Sequence, residues 1–579
     1  MTTQQQIKPI RGEEFPRSFT KSVTDFGNWQ ELAPLFKQLE ERIVSICDVA
    51  LLEKWLLDQS EVEAVLSEEQ ARRYIKMTCD TSDEDAKTAY LSFVETVIPE
   101  LKVCADKLTR FYLKNPVRAK LDQAKMAGYD RKLENGVKLF REENISLQTK
   151  ETKLAQQYQK ICGAMSVNFN GEEHTLIQLA KYMEENDRKL REEVWLLANE
   201  RRLQDKQSIN KIFDEQLTLR CEIAGNADFN NYRDYKHQAY NRFDYQPSSC
   251  EEFHLAVEEV VVPILKAQRI KRKELLGLDS LRPWDLAVDA KGRAALKPFK
   301  DADELEEKCA KLFHCIDNKL GSQFEKMRAA SLLDLANRKG KAPGGYNYPL
   351  GEIRMPFIFM NATGTNQDVF TLLHEGGHAF HTFASRDHQL ADHRDCPLEF
   401  CEVASMAMEA FALGFLDNIY SSEELIKQAK QNQIESIIST LPWVATIDAF
   451  QHWIYLNPKH SIAERDQKFI EIWTRFSPEI DWSGLEKFHP NRWQQQLHIF
   501  INPFYYIEYG IAQLGALQLW MKYKQQPQQA LDNYLKALAL GGTRSLPELF
   551  KASGADFDFT AKTMRPALAA LAAELEAAS

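Results

Sequence analysis

The sequence predicts a mainly α-helical protein, and three observations support this prediction. Glycine and proline are sparse, 24 and 21 in 579 residues, so the turn clusters that separate many short strands are absent. Apolar residues recur at helical spacing, as at Leu32, Leu35, Leu39 and Ile43. Long charged stretches keep a few apolar anchors, which is typical of amphipathic helices.

More helices are predicted further along the chain. Residues 120–160 are polar with few apolar anchors (Leu133, Val137 and Leu139), which predicts a helical hairpin on the surface rather than a core strand. Residues 185–202 carry dense charge around an apolar turn at 194–197 and predict another helix. A looser helical periodicity continues through three residues, Ile212, Phe213 and Leu217.

One region departs from the helical pattern. Residues 338–346 form a predicted loop, because Pro343 and the glycine pair that follows it cannot sustain a helix. Residues 353–360 then predict a short strand, and Pro356 marks it as an edge or irregular strand. An exposed edge could pair with an extended peptide. A strand that simply covers the core is an equal alternative.

A turn-rich stretch at residues 361–368 leads into the helix predicted at 369–385. Thr365 or Asn366 is a candidate N-cap, and the charge of Asp368 suits the first turn of a helix. Asp368 also has an alternative role, as a partner that orients a metal-binding histidine. The capping role is favoured.

The composition excludes several classes of protein. A hydrophobic fraction of 44% with 27% charged residues is ordinary for a soluble chain, and a net charge of −11 without long single-sign blocks argues against nucleic-acid binding. No stretch of about 18 apolar residues predicts a membrane span. The first six residues lack an apolar segment, so we expect no secretory signal and a cytoplasmic location. The ten cysteines are scattered and predict reduced thiols.

Residues 374–378 read HEGGH and carry the strongest chemical signal. Histidines four apart lie about 40° apart around a helix, so both can reach one metal ion, with Glu375 beside it as a candidate base. Chance should produce this pattern roughly 0.04 times in a chain with 13 histidines. The two glycines cost about 1 kcal/mol each in a helix interior. We expect their small size to admit substrate or the facing strand.

Two histidines four apart with a glutamate after the first form the HExxH arrangement of zinc hydrolases. Such a zinc site needs a third protein ligand and one open coordination position. The metzincin pattern would place a histidine at position 384, which is Ala384, so that class is excluded. A second predicted helix carries three carboxylates, Glu399, Glu402 and Glu409, close to one face. Spacing alone does not select one of them.

The motifs at residues 374–381 (HEGGHAFH) and 402–405 (EVAS) resemble the thimet oligopeptidase family of zinc metallopeptidases, and are most similar to its oligoendopeptidase F branch. Further similar segments are 340–346, 361–368 and 541–547. The resemblance covers about residues 120–565 and is most specific between residues 338 and 410.

The resemblance implies one Zn²⁺ ion per chain. Its ligands are then His374, His378 and Glu402, where the family has a glutamate before a Val-Ala-Ser type of triplet. Glu375 is implied as the general base. His381 shares the ligand face, and we expect it to pack beside the site rather than to act as a fourth ligand, which would close the open position.

Residues 498–509 contain one histidine and three tyrosines. Composition alone favours an aromatic core helix here. The resemblance implies instead that the segment lines the cleft opposite the zinc, with His498 and Tyr505 contacting substrate and Tyr509 polarising the scissile carbonyl. The family often has a further tyrosine where this chain has Ile507, so the division of roles among the three tyrosines stays open.

The resemblance also implies an architecture and an activity. Two helical lobes enclose a deep substrate channel, with a small β-sheet beside the zinc-binding helix. Residues 1–190 form an N-terminal helical region and residues 191–569 the catalytic domain. The expected activity is hydrolysis of internal bonds in oligopeptides, with no nucleic-acid or membrane partner. The alternatives are a metal-dependent carboxypeptidase and an inactive peptide-binding protein on the same fold.

Overall fold

The computed structural model describes residues 14–578, and its elements confirm the mainly helical class. The first residues, on which the expected lack of a secretory signal depends, lie outside the described part. None of the helices within residues 14–578 combines the length and hydrophobicity that crossing a lipid bilayer requires. All ten cysteines are free thiols, as predicted.

The N-terminal part of the chain contains six helices. Their bounds are α1 Trp29–Ser45, α2 Val49–Cys79, α3 Glu84–Thr96, α4 Ile98–Lys114, α5 Gln123–Leu139 and α6 Glu143–Gly163. The apolar face predicted for α1 is confirmed, since its four periodic residues are buried. Side chains between Val23 and Tyr129 form an apolar core separate from the main one. Helices α1 to α5 therefore pack largely on one another.

The two helices predicted for residues 120–160 exist as α5 and α6, but they do not form the predicted hairpin, because α5 packs mainly on α4 and α6 on α8. The predicted surface placement is also wrong for α6. The main core includes Leu147, Leu154 and Tyr158 from this helix. Tyr158 also donates a buried hydrogen bond of 2.8 Å to the Gln494 carbonyl oxygen. The polar residues misled the prediction because several of them line an internal cavity rather than bulk solvent.

The middle of the chain contains seven further helices. These are α7 Arg188–Gln204, α8 Lys206–Asn226, α9 Tyr232–Ala239, α10 Pro247–Ala256, α11 Val262–Leu275, α12 Ala302–Ile316 and α13 Asn318–Ala329. The helices predicted at residues 185–202 and around Phe213 are confirmed as α7 and α8. A single π-helical turn, Val257–Val261, joins α10 to α11.

The C-terminal part contributes most of the main core. Its helices are α14 Asn366–Ser385, α15 Ala391–Arg394, α16 Leu398–Ala412, α17 Glu423–Leu456, α18 Ile462–Phe476, α19 Leu497–Ile501, α20 Ile507–Gln525, α21 Pro527–Leu538, α22 Leu546–Ser553 and α23 Ala561–Ala578. α14 carries the HEGGH motif, and α16 carries the three candidate carboxylates.

Two small sheets complete the described part of the fold. The first is an antiparallel hairpin of β1 Ser166–Phe169 and β2 Glu172–Thr175. The second contains β3 Leu333–Ala336, β4 Tyr346–Leu350 and β5 Met355–Ala362 in the order β3-β5-β4. β5 runs parallel to β3 and antiparallel to β4, and it packs against α14.

The strand predicted at residues 353–360 is confirmed as β5. Of the alternatives, the edge position is wrong, whereas the irregular pairing, seen in its register with β3, and the coverage of the core by a buried strand are confirmed. β5 is the central strand, and β4 lies at the edge. Pro356 is tolerated because it faces Pro349 of β4, and antiparallel neighbours alternate between bonded and non-bonded pairs. On the other side, the pairing with β3 begins only at Ile358.

The start of α14 follows the capping prediction. Thr365 is the N-cap, and its side chain accepts from the Asp368 N–H while the Asp368 carboxylate accepts from the Thr365 N–H. The same carboxylate accepts from the N–H groups of Thr363 and Gly364 at 2.9 Å. Asp368 is thus bound locally, and its alternative role beside a ligand histidine is wrong.

Helices α14 and α16 touch through their backbones at Gly377. A Cβ atom there would lie 2.5 Å from the Ala404 carbonyl oxygen and 2.5 Å from the Ser405 Cα. At Gly376 a Cβ would meet the Phe313 ring at 2.5 Å. The expectation that these glycines admit substrate or the facing strand is therefore wrong. They admit a neighbouring helix and a core ring.

Gly377→Ala is expected to destabilise the protein by about 1–3 kcal/mol, because the added methyl group overlaps the α16 backbone. The matched control is Gly136→Ala in α5, where a Cβ meets nothing within 4 Å. That change should raise stability by about 0.5–1 kcal/mol. Thermal unfolding of both variants measures the difference. An unchanged midpoint for Gly377→Ala would show that α14 and α16 are not held in this contact.

Candidate active site

The three residues proposed as metal ligands converge in the fold. His374 and His378 lie one turn apart on α14, and Glu402 faces them from α16. The Nε2 atoms of His374 and His378 lie 3.2 and 3.4 Å from the same carboxylate oxygen, Glu402 Oε2. Together they form a group of donor atoms able to hold one metal ion.

The geometry of this donor set fits zinc. In a tetrahedral site with bonds of about 2.0–2.1 Å, neighbouring donor atoms lie about 3.3 Å apart. The two histidine-to-glutamate separations of 3.2 and 3.4 Å agree with that spacing. Two imidazoles and one carboxylate are also a ligand set that zinc accepts in hydrolases, with the fourth position left for water.

Glu402 is held in its ionised form. Burial favours the neutral acid, but the neighbouring His378 and His374 outweigh it and lower the pKa of Glu402 well below its usual range. The Tyr505 hydroxyl donates to Oε1 at 2.5 Å, and the Ser405 hydroxyl donates to Oε2 at 3.0 Å. The carboxylate is thus oriented toward the two histidines from both sides.

Glu409, one of the three carboxylates that spacing left open, contacts His374 from outside the group of donor atoms formed by His374, His378 and Glu402. Its Oε1 lies 2.8 Å from Nδ1 of His374. Its Oε2 accepts from the Gln433 amide at 2.8 Å. This contact leaves Nε2 of His374 directed toward the site, as carboxylates commonly do for ligand histidines. Glu399 is engaged elsewhere, accepting from the Tyr245 hydroxyl at 2.7 Å.

The candidate base, Glu375, is buried beside the two histidines. Its side-chain oxygen Oε2 has no hydrogen-bond partner, although the residue is only 5% exposed. Gly345, in the loop before β4, faces it so closely that a Cβ would lie 3.3 Å from Oε1. Burial raises the pKa of the Glu375 carboxyl above its ordinary value. An unpartnered buried carboxylate is costly, so the arrangement indicates a group that bonds to a ligand.

A chain of hydrogen bonds sets the orientation of His498 and Tyr509. Trp443 can only donate, and its Nε1 lies 3.0 Å from Gln496 Oε1. Gln496 Nε2 therefore donates to His498 Nδ1 at 2.8 Å. Burial lowers the pKa of His498 to about 4, so the ring is neutral and carries its proton on Nε2. That N–H donates to the Tyr509 hydroxyl oxygen at 3.1 Å.

This order of donors leaves the hydroxyl proton of Tyr509 available to a ligand. Burial, with the nearby charge of Glu402, raises the pKa of Tyr509 well above its ordinary value, so the hydroxyl keeps that proton. Tyr505 and Tyr509 both line the cavity, but the Tyr505 hydroxyl is bonded to Glu402. Tyr506 is absent from the cavity lining.

Two buried arginines hold the segment that carries these residues by donating hydrogen bonds to its backbone carbonyl groups. Arg220 donates to the carbonyl oxygens of Ile499 and Phe500 at 2.9 and 2.8 Å. Arg242 donates to the Phe504 carbonyl oxygen at 2.6 Å and pairs with buried Glu508. Phe504 is held at a φ of +64°, a conformation that a bulky residue rarely adopts without such support.

The sequence interpretation missed both arginines. For Arg220 the sequence contained a usable signal. Arg220 lies three residues after buried Leu217 and therefore on the apolar face of α8. An arginine on such a face must find buried acceptors. Arg242 follows the end of α9 in an irregular stretch, where no periodicity marks it.

All of the predicted site residues border one cavity of about 620 Å³. One wall comes from the N-terminal part, with Gln70, Tyr74 and Tyr90, together with the polar face of α6. The opposite wall comes from β4, α14, α16 and the segment around His498. Edge strand β4 therefore borders the cavity beside the HEGGH helix. The arrangement agrees with two helical parts enclosing a channel.

Comparison with known proteins identifies the family. The model of peptidase family M3 matches residues 181–567, and the model of the peptidase M3 N-terminal domain matches residues 23–140. The matched region includes the HEGGH motif, Glu402 and the segment around His498. The chain belongs to peptidase family M3.

Curated relatives bear the names oligoendopeptidase or oligopeptidase. An oligoendopeptidase F homolog of Borreliella burgdorferi is 25% identical over 310 residues, which cover 51% of this chain and 50% of the relative. The oligopeptidase PepF of Bacillus subtilis is 22% identical over 297 residues, covering 51% and 44%. The chain thus spans about half the length of the curated relatives that it matches.

A solved structure resembles nearly the whole chain. The structure of PZ peptidase A with an inhibitor superposes with a TM-score of 0.92 at 27% sequence identity. The match covers 97% of this chain and 99% of that one. The similarity therefore includes the N-terminal part that lines one wall of the cavity.

Substituting the carboxylates of α16 tests which of them is the ligand. Glu409→Gln should weaken zinc binding by about 10–100-fold, because it loosens the orientation of His374. Glu402→Ala should weaken zinc binding further, because it removes a donor atom. Competition with a chromophoric chelator measures both affinities. If Glu409→Gln proved the more damaging, Glu409 and not Glu402 would be the ligand.

Proposed function

We propose that the protein is a zinc-dependent oligoendopeptidase that hydrolyses internal bonds of short peptides. One observation carries the proposal. A donor set of zinc geometry, an unpartnered buried carboxylate and a tyrosine with an available proton border the same cavity. Membership of peptidase family M3 supports this assignment.

His374, His378 and Glu402 would hold the metal. Zinc bound there supplies a Lewis acid, which polarises a carbonyl group and lowers the pKa of a water molecule. Glu409 fixes the ring of His374 through its Nδ1 contact. Tyr505 and Ser405 hold the Glu402 carboxylate in place, so the ligands are oriented before substrate arrives.

Glu375 acts as the general base in this proposal. Its unpartnered Oε2 accepts a proton from the attacking water and passes it to the nitrogen of the leaving amine. A raised pKa suits this exchange, because the group must both take and return the proton. Gly345 leaves space beside the carboxylate, where any larger residue would crowd it.

Tyr509 donates its hydroxyl proton to the carbonyl oxygen as negative charge develops there. His498 supports it by donating Nε2–H to the tyrosine oxygen, which polarises the hydroxyl. Gln496 keeps His498 in that tautomer. Tyr505 instead holds the ligand Glu402, so the contact with substrate expected for it from the sequence is not part of this proposal.

Enclosure of the site supports restriction to short peptides. The cavity lies between the two helical parts, and a folded protein would not enter a space of about 620 Å³. An extended peptide could lie along β4, whose residues Tyr346 to Pro349 border the cavity. The cytoplasmic location and the domain boundary at residue 190 stay predictions.

The function is tested with peptides blocked at both ends. The protein should cleave them internally, and a chelator should abolish cleavage, as mass spectrometry of the products will show. A carboxypeptidase would spare them and cut only peptides with a free C-terminus. Glu375→Gln should keep the zinc content of the native protein while turnover falls by at least about 10²–10⁴-fold. Turnover that survives this substitution would refute the mechanism.

Tyrosine substitutions test the donor assignment. Tyr509→Phe should lower kcat by about 10²–10³-fold with little change in KM, because the lost bond forms mainly in the transition state. Tyr523→Phe is the matched control, since this tyrosine of the same helix packs on Phe411 and does not line the cavity, and its kcat should stay near that of the native protein. Equal losses in the two variants would remove the role assigned to Tyr509.

A further inference from the structure

A second cluster of metal-binding side chains lies beside the candidate active site. It consists of His381, Cys396 and Cys401, whose donor atoms all lie within 4.8 Å of one another. His381 is one turn beyond His378 on α14. Cys396 lies in the segment before α16, and Cys401 lies on α16 next to Glu402. The three residues lie on two successive helices and the segment between them, and the packing of α14 against α16 brings them together.

The hydrogen bonds of the fold do not account for this cluster. His381 is 5% exposed, and its Nε2 atom has no hydrogen-bond partner. The Cys401 sulfur lies 3.6 Å from the Cys396 carbonyl oxygen and also interacts with the side chains of Cys396 and His381. A buried imidazole nitrogen without a hydrogen-bond partner is unfavourable, so a ligand at this point would remove that penalty.

We propose that His381, Cys396 and Cys401 form a second metal site that takes a thiophilic divalent ion of the zinc class. Two sulfurs and one imidazole are donors that zinc prefers, whereas magnesium and calcium require oxygen. The donor set is distinct from that of His374, His378 and Glu402. It belongs to no step of the proposed peptide hydrolysis and does not depend on it.

The position of the second site gives it an open side. All three residues line the cavity that contains the first site. Three protein ligands leave one coordination position, and here that position faces the cavity, where water or a donor atom of a bound peptide can occupy it. The ion would also join α14 to α16 and to the segment between them. It would therefore brace the same two helices that carry the first ligand set.

Cobalt substitution distinguishes the two sites without an activity assay. The metal-free protein is titrated with Co²⁺ in a phosphine reductant, because a dithiol would itself bind metal. The native protein should bind two ions per chain and show a near-ultraviolet sulfur-to-cobalt band. The double variant His374→Ala/His378→Ala should keep the band and one ion. The double variant Cys396→Ser/Cys401→Ser should lose the band and bind one ion.

The matched control is Cys47→Ser/Cys315→Ser, which removes two exposed thiols outside the cluster. This variant should keep both ions and the band. The proposal is overturned if the native protein binds one ion without the band, or if the band survives in Cys396→Ser/Cys401→Ser. Loss of the band in the control would also overturn it, since the sulfur ligands would then be elsewhere.

Thiol alkylation of the native protein gives a readout that needs no variant. With Cd²⁺ present, mass spectrometry should show slower alkylation of Cys396 and Cys401, while Cys79 and Cys104 react at unchanged rates. Equal rates for the cluster with and without Cd²⁺ would refute the site. A Cys396–Cys401 disulfide found before reduction, together with no protection by Cd²⁺ after reduction, would assign the pair to redox chemistry instead.

Discussion

The backbone contact between α14 and α16 at Gly377 is the constraint on which the candidate site depends. His374 and His378 lie on one helix and Glu402 on the other, so the distance between the helices sets the size of the metal site. Any side chain at Gly377 would collide with the Ala404 carbonyl oxygen. Glycine is unfavourable inside a helix, by about 1 kcal/mol. The close approach that it permits is what brings imidazole and carboxylate within 3.4 Å.

Buried polar networks hold the other half of the site. The irregular segment around Phe504 has few regular backbone bonds, so its carbonyl groups depend on Arg220 and Arg242. Arg242 in turn has its charge balanced by Glu508. A second network is the chain of hydrogen-bond donors that begins at Trp443. It sets the orientation of the Tyr509 hydroxyl group.

The N-terminal part of the chain encloses the candidate site by forming one wall of its cavity. It has its own apolar core, so it can present a formed surface to the helices that carry the candidate site. α6 contacts both the main apolar core and the cavity. Leu154 and Tyr158 are buried on one side, and polar residues face the cavity on the other. Enclosure limits access of water to the site, which strengthens the electrostatic interactions inside it.

The sequence by itself determined what depends on near neighbours in the chain. Helical periodicity, the Thr365 cap and the HEGGH spacing are local patterns, and the helices and the histidine pair follow from them. Spacing did not separate Glu399, Glu402 and Glu409, because all three lie near one face of α16; resemblance to a family named Glu402. Only the tertiary structure decided that Glu409 orients His374, that Tyr505 holds Glu402 and that β5 is a central strand. Each of these depends on contacts between segments distant in sequence, which no local pattern records.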